Sequence, residues 1–162
     1  MVKVVIDNAK GLVQRAGSGF EIANSALGAG MMGIAKSAAT SGIDTGAHDL
    51  ELNITQPAGT VLTDLGVVAT EATVGSANID VKVGTADDGV ELCLGKAFVS
   101  SNVAAVGSMI STAATGEGAA VLAWVADSAL YTATERTVYI RAEISATLTA
   151  GTLQSWASFL KL

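Results

Sequence analysis

Leu50-Glu51-Leu52-Asn53-Ile54-Thr55 alternates apolar and polar residues without a break. Asn78-Ile79-Asp80-Val81-Lys82-Val83 does the same, and so does Thr137-Val138-Tyr139-Ile140-Arg141-Ala142-Glu143-Ile144-Ser145. A period of two sends successive side chains to opposite faces of a strand. One face is then buried and the other wet, the pattern of an antiparallel sheet rather than a parallel one. Working outward from these stretches, the expected strands are 50–55, 60–70, 77–84, 90–94, 96–100, 119–126, 136–146 and 152–162, with a short one at 2–6. Turn signals separate them: Gln56-Pro57-Ala58-Gly59, Gly75-Ser76, Asp87-Asp88-Gly89, Thr115-Gly116-Glu117-Gly118 and Ala150-Gly151. Eight short strands in about 115 residues predict an all-β chain, an antiparallel β-sandwich of jelly-roll-like kind. The stretch 101–115 reads equally as strand, short helix or loop.

The region before these strands differs in composition. Between Ala16 and Ala47, fifteen of thirty-two residues are Gly or Ala, and no period is visible. Ala26 to Lys36 has the composition of a short apolar helix, but its glycines each cost about 1 kcal/mol against Ala. Residues 7–47 are expected to form an extended arm that orders against a partner; the alternative is a pair of ordinary strands with Gly-rich turns. The division predicted is therefore 1–47, an N-terminal strand and Gly/Ala-rich arm, and 48–162, the sandwich body.

The core is made of small residues. Half of the 162 residues are hydrophobic, yet there are only two Trp, two Tyr and three Phe. Small side chains bury little area each, at about 25 cal/mol per Å², so a partner or a second copy is expected to add stability. The net charge of −6 comes with scattered Lys and Arg. Phosphate recognition needs clustered cations, so nucleic acid is excluded as a partner, and an anionic membrane surface with it. The charge is uneven: residues 1–46 carry four bases and three acids, a net of +1, whereas residues 47–162 carry five bases and twelve acids, a net of −7. No secretory signal is read at Met1-Val2-Lys3-Val4-Val5-Ile6-Asp7, and no apolar run reaches the length of a membrane helix. Synthesis in the cytoplasm is expected.

Each motif that could carry chemistry has a plainer reading. Gly28-Ala29-Gly30-Met31-Met32-Gly33 matches G-x-G-x-x-G, but no buried parallel strand precedes it and no βα alternation surrounds it. His48 is the only histidine; with Asp49 beside it in sequence, it provides neither a convergent triad nor a zinc site. Asp87-Asp88-Gly89 is first a turn and only secondarily a weak surface calcium loop. Cys93, the single cysteine, lies in Val90-Glu91-Leu92-Cys93-Leu94 and reads as a small buried hydrophobe. Trp124, Trp156 and Tyr139 are candidate sugar-stacking platforms, with Trp124 placed in the core and Tyr139 on an outward face. No catalytic, cofactor-binding or metal residue is assigned, and the chain is not expected to be an enzyme. The last strand, Thr152 to Leu162, has apolar residues on both sides and is expected inside a sheet stack or at a subunit interface, because a bare edge of that kind would aggregate.

Three segments carry a resemblance: Pro57-Ala58-Gly59-Thr60-Val61-Leu62, Gly75-Ser76-Ala77-Asn78-Ile79-Asp80-Val81-Lys82-Val83-Gly84-Thr85, and Leu148-Thr149-Ala150-Gly151-Thr152. In this order they resemble small β-rich virion structural proteins of tailed bacteriophages, over roughly residues 50–162. The resemblance implies a β-sandwich displayed on the particle, most simply a capsid decoration or cement protein that binds the major capsid protein. It implies a virion location and a homo-oligomer, with a trimer favoured, and brings no catalytic residues or cofactors. Residues 2–40 and 152–162 are the expected contact surfaces. The alternative is a tail or fibre module that recognises a host glycan or adapts tail parts.

Overall fold

The computed structural model describes residues 2–7, 11–16, 19–21, 32–99, 104–112, 122–125 and 129–162. Fourteen strands are assigned among them, with no α-helix. The first three, β1 (Val2–Asp7), β2 (Gly11–Ala16) and β3 (Gly19–Glu21), form a small sheet. β1 pairs with β2 as an antiparallel hairpin and with β3 in parallel.

The sandwich consists of two antiparallel sheets. One contains β10 (Cys93–Val99), β9 (Ile79–Gly84), β13 (Arg136–Ile144) and β6 (His48–Glu51) in that order, with β7 (Ile54–Gln56) following β6 along β13. The other contains β11 (Met109–Ser111), β8 (Thr60–Gly75), β14 (Leu148–Lys161) and β4 (Met32–Lys36). β12 (Tyr131–Thr132) joins it along β8, and β5 (Thr40–Ser41) along β14. The inward residues of β13, Val138, Ile140, Ala142 and Ile144, meet Leu62, Leu65 and Val67 of β8 and Leu153, Ala157 and Phe159 of β14 in one buried cluster. The alternation in the sequence therefore does set the buried face.

Several boundaries differ from the expectation for local physical reasons. The stretch 50–55 divides into β6 and β7 because Asn53 replaces a ladder partner: its Oδ1 accepts from the Ile140 amide at 3.0 Å, while the Leu52 amide donates to the Ile140 carbonyl at 2.8 Å. The expected strands 90–94 and 96–100 are one strand, β10, interrupted by register shifts against β9. Ala150-Gly151 is not a turn. It lies within β14, where the register against β8 shifts, and Gly151 takes φ 138°. A Cβ there would stand 2.8 Å from the Thr73 methyl. The turn between β13 and β14 falls at 145–147. Of the helical reading for 26–36, residues 32–36 form strand β4 instead, paired with β14 from Trp156 to Leu160; residues 26–31 lie outside the described residues. Of the expected strand 119–126, residues 122–125 form only an isolated bridge between Trp124 and Cys93, and residues 119–121 and 126 lie outside the description.

The other turn signals behave as their chemistry requires. Gly59 has φ 65° after Pro57, and Asp88 has φ 60° in the Asp87-Asp88-Gly89 turn. Asp is one of the few residues other than Gly that tolerates the left-handed region. The Gly89 amide closes that turn by donating to the Ala86 carbonyl at 3.0 Å. The turn signal 115–118 lies outside the described residues.

Candidate interaction surface

Because both sheets are antiparallel, opposed residues share a face, and the registers allow each outer surface to be assembled row by row. The outward residues of β13 are Thr137, Tyr139, Arg141 and Glu143. Glu143 lies between Asp49 of β6 and Asp80 of β9, and Arg141 between Glu51 and Lys82. This face is charged, with acids in excess and both of its bases among the described residues, Lys82 and Arg141, paired. Lys82 contacts Glu143, and the Arg141 guanidinium meets Asp87, Asp88 and, at 3.2 Å, Asp49. The hydrogen bond and charge of Glu143 raise Lys82 above its ordinary pKa against a smaller effect of burial. Burial works to lower the Arg141 guanidinium, but Asp87, Asp88 and Asp49 outweigh it and hold it above its usual value.

The outer face of the other sheet is different. Tyr131 of β12 opposes Val61 of β8, Val61 opposes Leu160 of β14, and Leu160 opposes Met32 of β4. These four apolar residues form one row across the sheet. The next row is Asp64, Ser158 and Ile34, and the next is Gly66, Trp156 and Lys36. Ile34 is 76 % exposed, Met32 60 % and Tyr131 46 %. Trp156 lies across Gly66, where a Cβ would stand 3.1 Å from its indole Nε1 and 2.6 Å from the Ile110 carbonyl. Glycine at position 66 thus leaves room for the indole. Further along, Met109 opposes Val68, and Met109 is also exposed. Aromatic and large aliphatic side chains collected on one exposed face are the composition of a binding surface rather than of ordinary solvent-facing sheet.

The residues singled out from sequence do not converge. His48 has its ring nitrogens 2.8 Å from the Gly46 carbonyl and 3.0 Å from that of Gly42, and so holds the loop before β6. It lines a shallow depression with Ala47, Asp49, Asp80, Glu143 and Ile144. Asp87 and Asp88 are engaged by Arg141. Among the described residues, no three His, Cys, Asp or Glu side chains are grouped to hold a metal ion. Cys93 is fully buried, and burial pushes its thiol up to about 12. Residues 28–31 of the G-x-G-x-x-G match lie outside the description, while Met32 and Gly33 belong to strand β4.

No protein-family model and no curated protein matches the chain. Among solved structures, a chain of the cyanophage Pam1 capsid asymmetric unit matches with a TM-score of 0.45 and 14 % identity, over 96 % of this chain and 97 % of that one. A chain of infectious bursal disease virus, Gx strain, matches with a TM-score of 0.43 and 11 % identity, over 80 % of this chain and 33 % of that one. Likeness of this strength assigns neither a family nor a function.

The three aromatics proposed as sugar platforms are dispersed. Tyr139 is on the charged face, as its alternation predicts. Trp156 is on the apolar face, and Trp124 packs half-buried against the core beside Cys93. The last strand is the interior strand of its sheet and is apolar on both sides: Leu153, Ala157 and Phe159 enter the core, and Trp156 and Leu160 lie on the outer face. The sequence reading missed Tyr131, Val61, Met32 and Ile34. They come from three separate strands, and only the register brings them into adjoining rows.

Proposed function

We propose that the chain is a structural protein of a phage particle, a head decoration or cement protein that binds the major capsid protein and stabilises the shell. The observation that carries this reading is the contrast between the two outer faces, one charged with both its bases paired, the other apolar from Tyr131 to Met32. A sandwich of this kind functions as an assembly part, because its apolar face needs a covering partner. The resemblance of Pro57–Leu62, Gly75–Thr85 and Leu148–Thr152 to virion proteins supplies the setting. Repetition over many equivalent sites on a shell turns modest interfaces into avid binding. The contact surfaces expected from sequence, 2–40 and 152–162, include β4 and β14. Following that expectation, we place shell binding on the first part of 2–40, the sheet β1–β3, and contacts between copies on the apolar face carrying β4 and β14.

The test is a truncation. Because Met32–Lys36 pairs with β14, a deletion through residue 40 would strip an edge strand from the sandwich, so the informative deletion removes residues 1–21. The truncated protein is expected to keep its oligomeric state and cooperative unfolding but to stop co-sedimenting with shells of the cognate phage. Saturable decoration by the truncated protein would overturn the assignment.

A further inference from the structure

We infer that a second copy of this chain covers the apolar outer face, stacked face to face on a two-fold axis that runs along β14. This rests on the assignment of contacts between copies to that face and deepens it, while its test concerns the purified protein alone.

The strand registers set the pairing. A two-fold axis along a strand keeps each row at its own height and exchanges the columns on either side. Column β4 of one copy then lies over column β8 of the other, with β12 beside it. In the first row, Met32 meets Val61 next to Tyr131, and Leu160 meets Leu160. Lys36 of β4 comes over Gly66 of β8, one row from Asp64. Sheets packed face to face lie about 10 Å apart, and neighbouring rows on one face of a strand are separated by about 6.6 Å. A lysine stem spans that offset. Asp64 points outward at the bulge opposite Ser158, and its Oδ1 takes the Thr112 hydroxyl and the Leu65 amide. Ile34 of β4 comes directly over Asp64 in its own row, and Lys36 reaches the same carboxylate from the next row, so each dimer would contain two Lys36–Asp64 contacts. An axis perpendicular to the strands would instead interchange the rows and keep each column over itself, so that Lys36 and Asp64 would not meet.

The size fits as well. Four strand columns about 4.8 Å apart, over about nine residues of β14 at 3.3 Å each, give a patch of roughly 600 Å² in projection. Stable interfaces cover about 800 Å² of accessible surface on each partner, and a corrugated side-chain surface exceeds its projection. The inference is two-fold pairing, where the sequence reading favours a trimer.

The experiment is a charge exchange read by light scattering and sedimentation equilibrium on the full-length protein. The wild type is expected at twice the monomer mass. Lys36→Glu places a second carboxylate against Asp64 at both contacts of the dimer, and Asp64→Lys places a second ammonium against Lys36 at both. Each variant alone is expected to dissociate about a hundredfold more readily. In a dimer of one variant with the other, both contacts join opposite charges: the unchanged Lys36 of the Asp64→Lys chain meets the unchanged Asp64 of the Lys36→Glu chain, and the two introduced charges meet each other with opposite sign. An equimolar mixture is therefore expected to recover the dimer. Ile34→Glu, at a position that is 76 % exposed, is expected to give a monomer with unchanged unfolding, so the test survives if loss of the Asp64–Thr112 bond impairs folding of the Asp64 variant. A wild type that is monomeric or trimeric, an Ile34→Glu protein that stays dimeric, or two folded charge variants whose mixture does not recover the dimer would overturn the inference.

Discussion

Replacing Gln56 with leucine is expected to lower stability by about 3 kcal/mol. Gln56 is wholly buried where β7 turns into β8. Its amide nitrogen donates to the carbonyls of Thr60 at 3.1 Å and Leu130 at 2.9 Å. Its oxygen accepts from Arg136 Nε at 2.9 Å, and the same guanidinium donates to the Ala129 carbonyl. One side chain thus ties the 57–60 turn, the 129–132 segment and the start of β13 together. Leucine is close to it in volume, so the substitution removes the bonds without opening a large cavity. The Leu130 carbonyl keeps its bond from the Leu62 amide at 3.1 Å, which places each lost amide bond near the ordinary range of about 0.5–1.5 kcal/mol. The heavier loss falls on Arg136, whose pKa burial already lowers. A bond to a charged group is worth about 1.5–3 kcal/mol, and this charge would lose its side-chain acceptor without regaining full hydration. For a chain of this length, a loss of about 3 kcal/mol corresponds to a fall in Tm of roughly 6–12 °C. Urea denaturation with an unchanged slope would measure the difference directly. A loss below about 1 kcal/mol would refute the reasoning, because water would then be serving these groups and Gln56 would not be a tie.

Other expectations follow from the same packing. Phe159→Ala, at a fully buried position, is expected to cost about 3–5 kcal/mol, measurable by denaturant titration. Cys93 has a folded pKa raised to about 12 from 9.0, so above pH 9 the unfolded chain loses the proton that the folded chain keeps. This contribution of Cys93 to stability is full below pH 9 and is lost at about 1.4 kcal/mol per pH unit as pH rises from 9 towards 12; Cys93→Ala removes that part of the slope, and native protein is expected not to react with a thiol reagent at neutral pH. Arg141→Gln leaves Asp49, Asp87 and Asp88 without their shared cation. The melting temperature of that variant is expected to rise on going from low to molar salt by more than the wild type's does, because salt screens the uncovered repulsion.

The strands with clean alternation are legible in the sequence because burial on one face forces the pattern. Ile79–Gly84 and Arg136–Ile144 match their alternating stretches closely, and Tyr139 lies on the outward face as its neighbours require. β4 is not legible. In Met32-Gly33-Ile34-Ala35-Lys36 the large apolar residues are those that point out, and small ones face the sheet's interior side, so the usual sign of burial is inverted. Thr149-Ala150-Gly151 carries turn chemistry but is used as a bulge, since glycine serves a close backbone approach as well as a turn. The apolar row Tyr131–Val61–Leu160–Met32 depends on three registers, and a register is a property of pairs of strands that no single stretch contains. The charged residues of the opposite face are each visible in sequence as the polar positions of alternating strands, but the convergence of Asp49, Asp87 and Asp88 on Arg141 is not.

The most direct test of a two-faced assembly part is hydroxyl-radical footprinting of the protein on the particle, normalised to the same chain unfolded in urea. Met32, Tyr131 and Trp156 report the apolar face and Tyr139 the charged one. The account predicts that the first three are strongly protected in the assembled state while Tyr139 keeps its reactivity. Met32, Tyr131 and Trp156 oxidised as readily as Tyr139 on the particle would contradict it.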